Sequence, residues 1–246
     1  NMDVDCYIER HVQRAASVDL SAPSGTIHLN VPFREPLLID FEMETPSPTF
    51  IQRMKGIDLL DASTTDFIEG VLNKTEKGLL VVGELPIGIN TELFWKFAKA
   101  LNWPVLCDPL SNLRAKVPTE CMDLCIDRYD ALLKSELFKE EATPDTVIRL
   151  GAQPVSKPLS LFLKKVRPRT VILVDESPEF RDPLGVVTHH IQSSAEALLR
   201  LNIQKDESAY ARIWSRANNE ATVVIENSLG SDEGAYTQML FANLPD

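Results

Sequence analysis

The sequence lacks several features that would assign it to a familiar class of protein. No apolar run approaches the ~18–20 residues that cross a bilayer, and the start has neither the basic flank nor the apolar core of a secretory signal. Four cysteines are too few for a disulfide scaffold in a chain of 246 residues. Acidic residues outnumber basic ones by 36 to 25, and this net charge of −11 disfavours binding to nucleic acids or anionic membranes. We therefore expect a reduced, cytoplasmic protein with no transmembrane segment and no nucleic-acid partner.

The usual nucleotide and nucleophile motifs are also missing. The sequence has no Gly-x-Gly-x-x-Gly fingerprint and no Gly-Lys-Ser or Gly-Lys-Thr phosphate loop. Gly78, Gly83 and Gly88 are spaced evenly by five, which does not place two glycines in one tight strand-to-helix turn. We interpret them as structural glycines. No Gly-x-Ser-x-Gly elbow surrounds any of the serines considered as nucleophiles, which are Ser63, Ser111 and Ser156.

Metal-binding residues are present but poorly arranged. Cys121 and Cys125 lie four residues apart, on one face if the segment is helical, but no histidine lies near them in the sequence to complete a zinc site. His189 and His190 are adjacent on a predicted strand, so their rings should point to opposite faces. We predict structural roles for all four residues and no metal site.

Strands and helices alternate through the middle of the chain. Apolar runs predict strands at 78–83, 104–108, 146–151, 170–175 and 186–191. Helical patterns follow at 90–101 (capped by Asn90 or Thr91), 128–138, 156–166 and 194–201. Such alternation needs crossover connections and favours a parallel sheet with helices on both faces. The fold class is therefore α/β, with a Rossmann-like central domain over residues 61–203.

The flanking segments are less regular. Residues 3–18 have the spacing of an amphipathic helix, and Ile27, Leu29 and Val31 alternate as in a buried strand that Pro32 ends. Residues 36–63 resemble a linker, with a short helix around 51–54. A further helix is expected from about 209 to 217, whereas 222–226 fits either a strand or a helix.

Charged residues near the predicted strand ends are the candidates for chemistry. Glu84, Asp108 and Asp175 lie where α/β sheets place their clefts, although helix capping or loop binding explains them more simply. Lys157 follows the third central strand and begins a helix, where a positive charge opposes the helix dipole. A nearby anion would explain its position. A solvated surface lysine is the alternative.

Five segments, in order, resemble one family of thiamine-diphosphate enzymes. They are Gly25–Leu37, Lys77–Glu84, Trp103–Arg114, Arg128–Asp130 and Val147–Pro158. The family comprises the menaquinone-pathway synthases that decarboxylate 2-oxoglutarate and add the succinyl unit to isochorismate. The resemblance implies a three-domain subunit. Residues 1–37 would be the tail of the pyrimidine-binding domain, 38–60 a linker, 61–203 the central domain, and 204–246 the connection into the diphosphate-binding domain.

The resemblance also implies where cofactor and substrates bind. In the family, thiamine diphosphate with Mg²⁺ (or Mn²⁺) lies between domains of two subunits, so a homo-oligomer is expected for the complete protein. Lys157 matches a family loop position that reaches toward substrate carboxylates, and it is the one site residue that we assign.

The sequence departs from the family in the residues that hold the cofactor. The metal-diphosphate signature, Gly-Asp-Gly followed downstream by Asn-Asn, is absent, because nothing like Gly-Asp-Gly precedes Asn218 and Asn219. The activating glutamate would lie before Asn1. We therefore expect a fragment of a longer protein that is inactive alone and holds neither thiamine diphosphate nor metal. The alternatives are a non-catalytic Rossmann-like module that binds a nucleotide or regulatory anion, and another thiamine-dependent enzyme of the same architecture.

Overall fold

The computed structural model describes residues 2–19, 26–32, 35, 56–86, 88–228, 230 and 232–244. The chain divides into two units, residues 1–57 and 58–246. Within the described residues of the first unit, the expected helix is present as α1 (Met2–Asp19). No helix in the described part of the chain is long and apolar enough to cross a membrane.

The predicted strand at Ile27–Val31 is wrong. Residues 26–32 have no regular secondary structure, and Ile27, Leu29 and Val31 are all exposed. Alternation favours a strand only where a neighbouring strand completes the hydrogen-bond ladder, and no described strand pairs with these residues. Most of the predicted linker, including the short helix around 51–54, lies outside the described residues.

The second unit contains the predicted alternation of strands and helices. Its strands are β1 (Gly78–Val82), β2 (Val105–Cys107), β3 (Thr146–Leu150), β4 (Thr170–Val174) and β5 (His189–Ile191). Its helices are α2 (Ala62–Lys74), α3 (Thr91–Leu101), α4 (Tyr129–Leu132), α5 (Glu136–Glu141), α6 (Lys157–Val166), α7 (Ala195–Leu199), α8 (Ala209–Ser228) and α9 (Glu233–Ala242). Short 3-10 helices lie at Pro109–Ser111, Arg114–Lys116 and Thr119–Leu124.

The five strands form one parallel sheet in the order β2-β1-β3-β4-β5. Every residue of β1 and β3 is buried, because helices cover both faces. One face packs side chains such as Leu80 and Ile148 against α2, α3 and α7. The other packs Leu79 and Val147 against α4, α6 and α8. The α/β class and the parallel sheet with two helical layers are therefore confirmed.

Two predicted elements are shorter than expected. The single helix over 128–138 is wrong, because the chain turns at Leu133 and Ser135 starts α5 by accepting a hydrogen bond from the Phe138 amide (3.3 Å). The fifth strand occupies only the last part of 186–191, since the Val187 amide donates to the Asp182 carboxylate (2.8 Å) instead of joining the sheet.

The helix after residue 208 is longer than predicted and resolves the open assignment of 222–226, which is helical as part of α8. Tyr210 and Trp214 of α8 are buried against the sheet, and the Tyr210 hydroxyl donates to the Ala142 carbonyl (2.7 Å). Asn90 caps α3 as expected, because its side chain accepts a hydrogen bond from the Leu93 amide (2.9 Å).

Candidate functional site

The carboxyl ends of β1, β2, β3 and β4 meet at one edge of the sheet, where parallel α/β folds form their clefts. The segment of residues 151–157, which runs from the end of β3 to Lys157, the first residue of α6, lies at this edge. We call it the Lys157 loop. Side chains and backbone from three directions fix its position.

The start of the Lys157 loop is pressed against the end of β1. Gly151 has φ +70°, a conformation that L side chains rarely adopt. A Cβ on Gly83 would lie 1.8 Å from the Ala152 carbonyl oxygen, so only glycine fits there. The Ala152 amide in turn donates to the Glu84 carbonyl (3.2 Å). Gly83 and Gly151 therefore serve structure, as expected for Gly83, by letting two backbone segments touch.

Two acidic residues hold the end of the Lys157 loop. Asp108 is buried after β2, and its Oδ2 accepts a hydrogen bond from the Val155 amide (3.0 Å) while Oδ1 accepts one from Leu110 (2.9 Å). The Ser156 hydroxyl donates to Asp130 (2.6 Å) and also accepts from the Leu159 amide (3.2 Å), which caps α6. These contacts fix the backbone next to Lys157.

A buried arginine reaches the middle of the Lys157 loop. Arg149, on β3, has a side chain that is 2% exposed, and its Nη1 donates to Gln153 Oε1 (2.5 Å). Its Nη2 donates to the Arg181 carbonyl, and Nη1 lies 3.8 Å from Asp182 Oδ1. Burial lowers the pKa of Arg149, and the Asp182 and Asp175 carboxylates oppose this effect.

The connection between β4 and β5 is held by an ion pair at the same edge. Arg181 donates to both carboxylate oxygens of Asp175, at 2.7 and 2.6 Å, and the Ser177 amide adds a third hydrogen bond (3.2 Å). Burial favours the protonated form of Asp175, but the hydrogen bonds from Arg181 and Ser177 outweigh it and hold its pKa below the usual value. Asp175 therefore has the structural role expected from the sequence.

Lys157 differs from the arginines at this edge. Arg149 and Arg181 have the partners given above, while Arg114 donates to the Cys107 carbonyl (2.8 Å) and lies over the Tyr129 ring at 5.9 Å. The Lys157 side chain is exposed and has no hydrogen-bond or ion-pair partner among the described residues. Its charge lies at the positive end of the α6 dipole, which repels it. The arrangement leaves a cation on a rigid loop, available to an anion.

The remaining sequence candidates have structural surroundings. Burial raises the pKa of the Cys121 thiol, which donates to the Trp95 carbonyl (Sγ···O 3.6 Å). His189 packs on Phe67 and His190 on Phe180, so the two rings diverge as expected. Across the described ranges, no three His, Cys, Asp or Glu side chains are grouped to hold a metal ion.

Asn218 is used to attach α8 to the rest of the domain. Its side-chain oxygen accepts a hydrogen bond from the Arg128 amide (2.9 Å), and its nitrogen donates to Asp127 (3.2 Å). Both polar atoms of the side chain are thus occupied inside the protein. This explains the residue without any role at a diphosphate.

A groove of ≈ 1260 Å³ lies between α3, the Thr119–Leu124 3-10 helix and α8. Charges of both signs line it, including Lys96, Glu120 and Arg216, so it favours neither an anion nor a cation. None of its lining residues belongs to the Lys157 loop.

Sequence reasoning missed the residues that position Lys157. Arg149 could have been noticed, because it is a charged residue inside the otherwise apolar run of β3. The role of Gln153 had no local signal. Asp130 lies in the Arg128–Asp130 segment, but its contact with Ser156 joins residues 26 apart and depends on the fold.

Comparison with known proteins agrees with this architecture. The family model described as the middle domain of thiamine pyrophosphate matches residues 62–244. A solved structure from Mycobacterium smegmatis, of an enzyme described as thiamin diphosphate-dependent, superposes with a TM-score of 0.51 at 16% identity. That similarity covers 80% of this chain and 38% of the other, and it concerns the fold alone.

Several curated proteins are similar in sequence over nearly the whole chain. A protein of Lysinibacillus sphaericus named 2-succinyl-5-enolpyruvyl-6-hydroxy-3-cyclohexene-1-carboxylate synthase is 42% identical over 98% of this chain. Proteins of the same name from Geobacillus kaustophilus and Bacillus pumilus are 35% and 33% identical. The chain spans only 43% of the length of the first of these relatives.

Proposed function

The chain belongs to the thiamine pyrophosphate middle-domain family, and we propose that it is the central part of an enzyme that decarboxylates 2-oxoglutarate and adds the succinyl unit to isochorismate in menaquinone biosynthesis. The observation that carries this proposal is the 42% identity to a synthase of that name over 98% of the chain. The full polypeptide is then a transferase, of which this chain supplies the middle domain.

Within this function, the Lys157 loop binds a substrate carboxylate. The loop presents an unpaired cation from a backbone that Asp108, Asp130 and Gly83 hold in place. A carboxylate can pair with this ammonium group through a charge-assisted hydrogen bond. Both 2-oxoglutarate and isochorismate carry carboxylates, so the loop has the right charge for either.

The described residues do not fit the site of the cofactor itself. They contain no group of three metal ligands, and Asn218 is occupied by Arg128 and Asp127. We therefore derive no chemical step through thiamine diphosphate from this chain. The proposal assigns thiamine diphosphate and Mg²⁺ (or Mn²⁺) to other domains of a homo-oligomer.

Two observations support the proposed cellular location and the proposed role of residues 204–246. Cys107, Cys121 and Cys125 are free, buried thiols, which fits a reducing cytoplasmic location. α9 exposes apolar side chains on all sides, a pattern typical of a helix enclosed by further protein. These side chains are Tyr236, Met239, Leu240 and Phe241. The exposure supports residues 204–246 as the connection into a following domain.

The proposal is tested by assaying the full-length polypeptide that contains this chain. With thiamine diphosphate and Mg²⁺, it should release CO₂ from 2-oxoglutarate and form the succinylated product only when isochorismate is present. Residues 1–246 alone serve as the control and should show no turnover. Failure of the full-length polypeptide to consume isochorismate would reject the assignment.

A further inference from the structure

Arg149 occupies an unusual position for a cation. It lies inside β3, the central strand, where it pairs in register with Val81 of β1 and Leu173 of β4. Its neighbours in the strand are almost all apolar, and its side chain is 2% exposed. A charge removed from water is costly unless it is well paired, so its partners should reveal what it does.

The guanidinium of Arg149 bridges two loops that are distant in sequence. One arm donates to Gln153, in the Lys157 loop. The other arm, Nη2, donates to the Arg181 carbonyl. Asp182 Oδ1 lies 3.8 Å from Nη1, the nitrogen that also donates to Gln153. Residues 181–182 belong to the β4–β5 connection, which the Asp175–Arg181 ion pair also holds.

The bridge has a geometric consequence for Lys157. Asp108 and Asp130 hold the loop at Val155 and Ser156, on the side facing β2 and α4. On the β4 side, the Gly151 amide donates to the Val174 carbonyl (3.1 Å) at the start of the loop, and Gln153 holds the middle of the loop through Arg149. Without the Gln153 contact, only the Gly151 amide, at the end of the loop farthest from Lys157, would still hold it on the β4 side. Binding groups must be placed to within a fraction of an ångström for full effect.

We propose that Arg149 and Gln153 form a positioning pair, which holds the Lys157 loop against the β4–β5 connection so that the Lys157 ammonium group meets the substrate carboxylate. This inference rests on the proposed function of Lys157. It assigns neither residue a direct contact with substrate.

The test uses the full-length enzyme and two single variants with their combination. Gln153→Ala removes the loop contact but leaves Arg149 bonded to the Arg181 carbonyl, so the fold should survive. We expect kcat/KM to fall about fivefold, mainly through KM, as is usual for a misplaced binding group. In a Lys157→Ala background, Gln153→Ala should have little further effect, because its influence passes through Lys157.

A conservative variant separates positioning from general stability. Gln153→Glu keeps an acceptor oxygen for Arg149, and it should retain most of the activity that Gln153→Ala loses. Hydrogen exchange in residues 1–246 gives a second readout, in which the amides of Ala152 and Val155 should exchange faster in Gln153→Ala than in Gln153→Glu.

The outcomes distinguish the two proposals. If Lys157→Ala lowers kcat/KM while Gln153→Ala leaves it unchanged, or if the two effects simply add, the positioning pair is rejected and the role of Lys157 stands. If Lys157→Ala itself has no effect, the substrate role of Lys157 is rejected, and the positioning pair with it.

Discussion

The Val155 amide donates a hydrogen bond to the buried carboxylate of Asp108, at an N···O distance of 3.0 Å. This contact joins the end of β2 to the Lys157 loop across 47 residues of sequence. It places the backbone of the loop two residues before Lys157. A residue that looks like a simple helix cap in the sequence therefore also determines where the candidate binding group lies.

Replacing Asp108 should destabilise the domain. In Asp108→Ala, the Val155 and Leu110 amides lose their acceptor in a partly buried setting, and we expect a loss of about 1–3 kcal/mol. Chemical denaturation of residues 1–246 measures the change in free energy of unfolding. Asp66→Ala, at an exposed position on α2, is the control and should change it by no more than about 0.5 kcal/mol. Equal effects of the two variants would contradict this role of Asp108.

Glycine at position 83 is required by contact with the Lys157 loop. Gly83→Ala would place its Cβ 1.8 Å from the Ala152 oxygen, so the loop must move, and we expect a loss of about 1–3 kcal/mol. Gly70→Ala, inside α2 with no atom within 4 Å of the new Cβ, should instead stabilise the domain by about 0.5–1 kcal/mol. Urea denaturation of both variants gives the comparison, and a neutral Gly83→Ala would contradict the contact.

The Asp175–Arg181 ion pair should make the free energy of unfolding depend on pH in the acid range. The pKa of Asp175 is lowered in the folded state, so its contribution is complete above the unfolded value of about 3.9. That contribution is lost as the pH falls through the lower folded pKa, because protonation breaks the ion pair. Asp175→Asn should lower stability at pH 7 and flatten its decline between about pH 5 and 2.

The control for this acid dependence is Asp206→Asn, which changes an exposed aspartate and should keep the wild-type slope. Denaturation midpoints measured across the same pH range provide the data. An unchanged slope in Asp175→Asn would show that other carboxylates cause the acid sensitivity.

Removal of α9 should leave the sheet domain folded. None of its residues is buried, and its apolar side chains are exposed. A chain ending at Ser228 should therefore unfold at the same denaturant concentration as residues 1–246, and it should bind less of a hydrophobic dye. A large loss of stability on truncation would mean that α9 packs within this domain, which would remove its support for a following domain.

The sequence predicted those parts of the fold that depend on local pattern. β1, β3 and β4 are apolar runs in a strict alternation with helices, so their type and approximate bounds followed from burial on two faces. The break between α4 and α5 did not follow. Leu132, Leu133 and Leu137 fit one continuous helix, and only the cap formed by Ser135 ends the pattern.

The candidate site was predictable in location but not in construction. Lys157 follows a predicted strand, which indicates the carboxyl edge of the sheet, and its position against the helix dipole marks it as a candidate. Its supports come from Asp108, Asp130 and Arg149, through contacts made only after the sheet has formed. The strand predicted at Ile27–Val31 failed for a related reason, since pairing needs a neighbour that a local pattern cannot supply.

The most direct test of the account is the effect of Lys157→Ala on the kinetics of the full-length enzyme. Lys164→Ala is the matched control, because Lys164 is exposed on the same helix and has no ion-pair partner among the described residues. We predict that Lys157→Ala lowers kcat/KM for a carboxylate substrate about tenfold, equal to about 1.4 kcal/mol, without lowering the melting temperature. Lys164→Ala should match the wild type. Kinetics for Lys157→Ala that equal those of Lys164→Ala would contradict the assignment of the Lys157 loop as a substrate-binding element.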